Sequence, residues 1–312
     1  MSPSLKLVFC GTPGFAVPSL ERLAEAGFEI ALVVTQPDRP RGRGMELALS
    51  PVKQAALRLG LPVVQPEKIK SNAEFQARLE AIRPDAIIVV GYGRIVPQWM
   101  LDLPRLGNIN LHASLLPKYR GAAPIQWAIA NGESVTGVTT MKIDAGLDTG
   151  DILLQQEIAI APDDTAETLA ARLAEPGADL LVETLRGLED GTIQPRPQDN
   201  RSATLAPILR KEDGRIDFRR SAGEIRNRLR GFQPWPGGFT TFRGKNLQVA
   251  NATVAQRTLP AGELRMEVDG LFVGCGNSSL ALLEVQPEGK KKMPVRDFVH
   301  GYRPQSGERL GQ

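Results

Sequence analysis

Leu5-Lys6-Leu7-Val8-Phe9-Cys10-Gly11-Thr12-Pro13-Gly14-Phe15-Ala16-Val17 decides the fold of the amino-terminal part of the chain. Its first six residues are almost unbroken apolar, as in a parallel strand buried on both faces, and a Gly/Pro turn hands the chain to an amphipathic segment over residues 17–26. The pattern recurs with strand signals at 29–35, 85–90 and 107–111 and helical ones at 51–59 and 73–82. Such alternation predicts an α/β domain with a doubly wound, mostly parallel, Rossmann-like sheet. Residues 123–130 read as a helix beside the 107–111 strand, and 135–143 and 152–160 as two strands flanking an Asp-rich loop. Asp163-Asp164-Thr165-Ala166-Glu167 sets acids over the amino end of a helix reaching Leu185.

Beyond Gly191, the polar, Pro-containing run from Gln194 to Thr204 reads as a linker over about residues 191–207. It divides a catalytic domain, 1–207, from a second domain, 208–312, where a helix at 221–230 and five short strands at 239–242, 247–254, 263–268, 271–273 and 280–285 suggest a small barrel. A length of 312 residues suits two domains, and 42% apolar with 23% charged residues suits a soluble globular protein. No apolar run approaches the roughly 20 residues that cross a bilayer, and the start lacks a signal-peptide cleavage pattern. Cys10 and Cys275 sit in apolar contexts and read as reduced core residues, in keeping with a cytoplasmic protein. Residues 209–312 hold 18 Lys and Arg against 11 Asp and Glu, about +7, while the remainder holds 20 against 24, about −4. A basic module tethered to an acidic one suggests a polyanionic partner.

The chemistry lies between Gly107 and Asp151. Asn110 and His112 stand two apart in a strand and project from one face, with Leu111 turned to the core. Asp144-Ala145-Gly146-Leu147-Asp148-Thr149-Gly150-Asp151 supplies a carboxylate downstream. An amide donor beside an imidazole and a carboxylate suits a reaction in which negative charge develops on a carbonyl oxygen, so acyl-type transfer is the first expectation. A core histidine, a turn amide and a loop acid would give the same letters. Dinucleotide binding is disfavoured because G-x-G-x-x-G fails at Pro13 and Ala16. No metal site is expected, since His112 lacks a second histidine at ligand spacing and the cysteines are 265 positions apart. No serine-hydrolase elbow is present.

The ordered run Asn110-Leu111-His112-Ala113-Ser114-Leu115-Leu116-Pro117-Lys118-Tyr119-Arg120-Gly121-Ala122-Ala123-Pro124-Ile125-Gln126-Trp127 resembles the folate-dependent formyltransferase family. The resemblance implies Asn110, His112 and Asp148 as the catalytic set, Ser114, Leu115, Leu116 and Pro117 as contacts to the donor 10-formyltetrahydrofolate, and an OB-like fold for the tail. Cys10 to Ala16, Thr35 to Gly44, Ser50 to Lys53, Gln233 to Gly237 and Gly289 to Lys292 resemble the branch acting on methionyl initiator tRNA. In that branch the insertion around Arg39, Arg41 and Arg43 enters the acceptor stem, and Lys290, Lys291 and Lys292 are further candidates for phosphate contacts. The Arg-containing loop is expected to be mobile when free. Gly11 to Gly14 reads as a tight turn, either structural or lining the methionyl or acceptor-end pocket, and Gly91 to Val96 as a wall of the folate pocket, with Asp144 shaping it through its loop. Trp127 and Trp235 read as packing residues, His300 as surface, and the chain as a monomer. The alternatives are a formyltransferase for an amino sugar nucleotide or glycinamide ribonucleotide, and a non-catalytic tRNA-binding module.

Overall fold

A computed structural model describes residues 4–41 and 46–312, and the first strand signals fall where the apolar runs put them. Strands β1 (Lys6–Gly11) and β2 (Glu29–Val34) are joined by helix α1 (Val17–Glu25). The short strands β3 (Arg39–Arg41) and β4 (Glu46–Ala48) precede helix α2 (Pro51–Arg58), strand β5 (Val63–Val64) and helix α3 (Ala73–Ile82). Strand β6 (Ala86–Val90), helix α4 (Gln98–Leu101), strand β7 (Asn108–His112), helix α5 (Pro124–Ala130), strands β8 (Val135–Lys142) and β9 (Ile152–Ala159) and the long helix α6 (Ala166–Glu189) follow. The sheet runs β5-β2-β1-β6-β7-β8-β9, parallel as far as β7 and antiparallel beyond. Chain order reverses between β1 and β6, the position where open α/β sheets leave a crevice at the strands' carboxyl ends.

Strand periodicity partitions the core. Val8, Cys10, Leu32, Val34, Ile87 and Val89 pack with Phe75 and Leu79 into one cluster, while the alternate residues Leu7 and Phe9 are buried outside it. Helix starts follow their caps: Ser50 Oγ accepts from Lys53 N at 3.1 Å and Asn72 Oδ1 from Phe75 N at 3.0 Å. Leu111 is buried, and Gly177 of α6 makes room for it, since a Cβ there would lie 2.8 Å from Leu111 Cδ2.

The chain forms two compact units: residues 1–124, 135–159 and 170–207 make the first, and 125–134, 160–169 and 208–312 the second. In the second, helix α7 (Ala222–Gly231) precedes strands β10 (Gly238–Phe242), β11 (Lys245–Ala255), β12 (Leu264–Glu267), β13 (Gly270–Gly274), β14 (Ser279–Pro287) and β15 (Met293–Pro294) and helix α8 (Val295–Tyr302). The antiparallel sheet runs β10-β11-β14-β13-β12, with β15 on β14. The tail joins its two ends, because Gly307 N and Glu308 O pair with Leu264 at 2.9 and 2.7 Å while Gly311 N reaches Thr241 O at 2.9 Å. This is the expected OB-like barrel, closed by a segment without strand signals.

Several expectations change. Helix α5 groups with α7 rather than with the 107–111 strand: Trp127 meets Phe232 edge-on at 5.3 Å, and the Arg228 guanidinium lies 4.8 Å from the Phe232 ring centre. Gly231 permits the approach, since a Cβ there would be 2.6 Å from Gln126 O. Trp235 is 54% exposed, so it is not a core residue. Within the segment read as an Arg-containing loop two short strands pair, with Arg39 opposite Ala48 and Arg41 opposite Glu46. Residues 295–302 form a helix, on which His300 is exposed. Cys10 and Cys275 are both free and buried. Among the described residues no helix is long and apolar enough to cross a membrane.

A Cβ at Gly137 of β8 would collide with the Gln156 carbonyl and Leu115 Cδ2, whereas one at Gly223 of α7 meets nothing. We expect Gly137→Ala to cost about 1–3 kcal/mol and melt several degrees lower, and Gly223→Ala to gain about 0.5–1 kcal/mol. Thermal denaturation of both variants checks this, and a Gly137→Ala protein as stable as wild type would contradict the packing.

Candidate active site

Strand β7 presents its chemistry in the register that pairs Asn110 with Met141 and His112 with Thr139. Asn110 is partly exposed, and its carboxamide makes no hydrogen bond within the described chain. His112 is 6% exposed, with Nε2 2.9 Å from Tyr119 O and Nδ1 3.7 Å from Asp148 Oδ2. A carbonyl oxygen only accepts, so Nε2 carries the proton and Nδ1 is the nitrogen turned to the carboxylate. Asp148 Oδ2 also accepts from Gly121 N at 2.8 Å. Both partners of the ring sit in left-handed backbone, Tyr119 at φ +62° and Asp148 at φ +50°. Few non-glycine residues adopt it without support.

That support comes from the segment read as a linker. Tyr119 N donates to Thr204 Oγ1 and Arg120 N to Thr204 O, both at 2.9 Å, and Ala206 N donates to Arg120 O at 2.7 Å. Arg196 exchanges two backbone bonds of 2.9 Å with Ile152. Gly121, at φ +124°, passes so close to this segment that a Cβ would lie 2.6 Å from Ala206 O. Residues 196–206 are therefore stitched into the first unit, because their backbone groups pair with the chain on either side of the site. Sequence reasoning passed over Tyr119, Thr204 and Gln198. Thr204 meets Tyr119 across 85 residues of sequence and Gln198 meets Asp148 across 50, and no local pattern marks them.

The Ser114–Pro117 turn is held from β8 and β9. Thr139 Oγ1 donates to Ser114 O at 2.6 Å and accepts from Leu116 N at 3.2 Å, and Gln155 Nε2 donates to Leu116 O at 2.9 Å. Ser114 Oγ donates to Lys118 O at 2.6 Å. Ser114 and Leu116 are buried, while Leu115 and Pro117 keep partial exposure. Asp144 organises the acidic loop, accepting from Gly146 N at 3.0 Å and Thr149 Oγ1 at 2.7 Å.

At the switch point the loops after β1 and β6 line a single cleft of about 1020 Å³ with Thr12, Gln36, Arg39, Ser50, Tyr92 and Arg94 among its walls. The sequence had given these loops to separate pockets. They meet because Gly91, at φ +56°, lies against Pro13, where a Cβ would be 2.8 Å from Cγ. Gln36 joins the walls by donating to Tyr92 O and accepting from Arg94 Nε, both at 3.0 Å. Beneath it Gln65 Nε2 donates to Gln36 O at 2.7 Å and Asp38 Oδ1 at 2.8 Å, and Lys53 Nζ bonds both Gln65 Oε1 and Asp38. The Lys53 hydrogen bond holds the Asp38 carboxyl below the usual carboxylate range.

Of the basic candidates, Arg39 is exposed at the cleft. Arg43 and the side chain of Arg41 lie outside the described residues. Lys290, Lys291 and Lys292 are exposed in the second unit, with Lys292 3.6 Å from Glu284. Among the described residues no group of three or more His, Cys, Asp or Glu is poised to hold a metal.

Comparison with known proteins bears on this geometry. Residues 5–185 match the formyl transferase family and residues 208–303 its C-terminal domain. The chain is 70% identical over 307 residues to a methionyl-tRNA formyltransferase of Koribacter versatilis, covering 98% of each. It is 64% identical over 310 residues to that of Acidobacterium capsulatum, covering 98% of this chain and 100% of that one. Among solved structures, an N-formyltransferase from Helicobacter canadensis, in complex with folinic acid and dTDP-3-aminofucose, aligns with a TM-score of 0.67 at 21% identity, covering 89% of this chain and 99% of that one. HypX from Aquifex aeolicus in complex with tetrahydrofolic acid aligns with 0.64 at 16% identity, over 98% of this chain and 49% of that one. At these identities the structural likeness concerns the fold.

Because the Asp38 carboxyl has a lower pKa folded than unfolded, its stabilisation is present above the unfolded value of about 3.9 and disappears as pH falls through the folded value. We expect Asp38→Asn to melt below wild type at pH 7 and the gap to close on acidification below about pH 4. A gap that widens in acid would contradict the Asp38–Lys53 pairing.

Proposed function

The chain belongs to the formyltransferase family, and from that premise we propose that it transfers the formyl group of 10-formyltetrahydrofolate to the free amino group of methionine esterified to initiator tRNA. The observation that carries this is the 70% identity, over nearly the whole of both chains, to a methionyl-tRNA formyltransferase. The low-identity sugar formyltransferase likeness does not compete with it. Residues 1–207 would form the catalytic domain and 208–312 the basic tRNA-binding domain, in a monomeric cytoplasmic enzyme.

The donor is consumed and is therefore a substrate. The amine attacks the formyl carbon, a C–N bond forms, and the carbonyl electron pair moves onto oxygen. Collapse restores C=O, breaks the bond to the folate nitrogen, and the proton shed by the amine ends on that nitrogen. Asn110, with an uncommitted carboxamide, faces the developing oxyanion, where such a donor is worth about 3 kcal/mol. Since Nε2 of His112 is committed to Tyr119, Nδ1 is left to carry the proton, and the charge it acquires lies beside Asp148. The imidazolium so formed also favours the oxyanion. No metal takes part in this scheme.

The donor would lie along the Ser114–Pro117 turn, meeting Leu115, Pro117 and backbone, with the buried Ser114 and Leu116 fixing the turn's shape. Gly91 to Arg94, on the cleft between the β1 and β6 loops, would supply a further wall. Arg39, Arg41 and Arg43 would meet the acceptor stem, and Lys290, Lys291 and Lys292 the phosphate backbone elsewhere.

Transfer of labelled formyl from 10-formyltetrahydrofolate to methionyl initiator tRNA tests the reading. We expect robust labelling, a fall of about 100-fold or more in kcat for Asp148→Asn, and an apparent KM for tRNA rising about tenfold or more from 50 to 200 mM salt. Labelling of an amino sugar nucleotide alone, or an Asp148→Asn enzyme at full rate, would contradict it.

A further inference from the structure

Gln198 lies in the polar segment that the sequence presents as a linker, yet its carboxamide is wholly engaged at the site. Nε2 donates to Asp148 O at 2.8 Å and to Gly150 O at 2.7 Å. Oε1 accepts from Arg120 Nε at 3.0 Å and Nη2 at 2.7 Å. A carboxamide offers two N–H donors and two lone pairs, so these four contacts use its full capacity. From this saturation we propose that Gln198 is a positioning residue of the formyl-transfer site, clamping the acidic loop so that the Asp148 carboxylate faces His112; the inference rests on the formyl-transfer reading.

The clamp has a fixed end. Arg120 is 6% exposed, its Nη2 also bonds Asn200 Oδ1 at 2.9 Å, and its backbone is tied to Thr204 and Ala206. It also has a strained load. Asp148 holds φ +50°, a left-handed geometry that a residue bearing a Cβ keeps only when neighbours over-determine it. On one side Asp144 holds Thr149 at 2.7 Å, while Gly150 runs so close to Lys142 O that a Cβ would collide with it. On the other side the two Gln198 N–H groups grip the carbonyls of Asp148 and Gly150. Held between them, Asp148 Oδ2 lies 2.8 Å from Gly121 N and 3.7 Å from His112 Nδ1. Gln198 touches none of the reacting groups. It acts through Asp148, and proton transfer is the step that depends on that distance.

Gln198→Glu separates this role from simple packing. The carboxylate keeps acceptors for the Arg120 guanidinium, so the anchored end of the clamp is retained, but it offers no donor to the two carbonyls. We expect a melting temperature within a few degrees of wild type, a kcat reduced about 10- to 100-fold as for a misplaced catalytic group, and KM values for donor and tRNA within about threefold of wild type. In an Asp148→Ala background, the same substitution should change the residual rate by less than about threefold, since the group it positions is gone. An unchanged kcat beside an active wild type would overturn the clamp alone, as would an equal loss in both backgrounds or a change confined to KM. A wild-type chain with no formyl transfer would overturn the functional reading and the clamp with it.

Discussion

Two left-handed turns aim opposite groups at one imidazole. Tyr119 turns its carbonyl to Nε2 of His112, and Asp148 turns its carboxylate to Nδ1. Neither conformation is a resting preference of a residue with a Cβ, so both are paid for by surrounding hydrogen bonds. One segment, residues 198–206, serves both turns, meeting Tyr119 through Thr204 and Asp148 through Gln198, and Gly121 N adds a bond to the Asp148 carboxylate. The ring's tautomer follows from the first turn, and its electrostatic partner from the second.

The fold brings these pieces together because the sheet changes direction. Parallel strands up to β7 leave their carboxyl ends on one side, where the switch-point cleft opens between the loops after β1 and β6. The antiparallel strand β8 leaves the end of β7 that carries His112 and finishes beside Ile109, and the acidic loop that follows folds back until Asp148 reaches the ring. Close approach is bought from glycine at a few positions: Gly137 admits the Ser114–Pro117 turn, Gly121 passes under Ala206, and Gly150 crosses Lys142.

The parts legible in the sequence were those governed by local periodicity. Apolar runs located the parallel strands, and the two-residue spacing of Asn110 and His112 put them on one face with Leu111 in the core, as the burial of Leu111 against Gly177 confirms. Illegible were features that depend on distant pairing. Gln198 and Thr204 sit in a stretch whose composition is that of a linker, because polar side chains serve a site wall and a solvated tether equally well. Helix α5 is apolar at nearly every position, a composition that calls for burial without saying what covers it; Phe232 and Arg228 pack on its Trp127. Trp235 read from its context as a core or interdomain packing residue, yet it is 54% exposed. The pairing of β3 with β4 was hidden by Pro40 and its flanking arginines, which carry no strand signal.

The most direct measurement is the nitrogen-15 spectrum of the His112 imidazole in its neutral form. The chain has only two histidines, so His300→Gln leaves one ring to observe. A proton on Nε2 and a bare Nδ1 is the tautomer required if Tyr119 O anchors the ring and Nδ1 is the working nitrogen beside Asp148. A proton on Nδ1 with a bare Nε2 would mean that the anchor is absent, and the assignment of proton transfer to Nδ1 would fall.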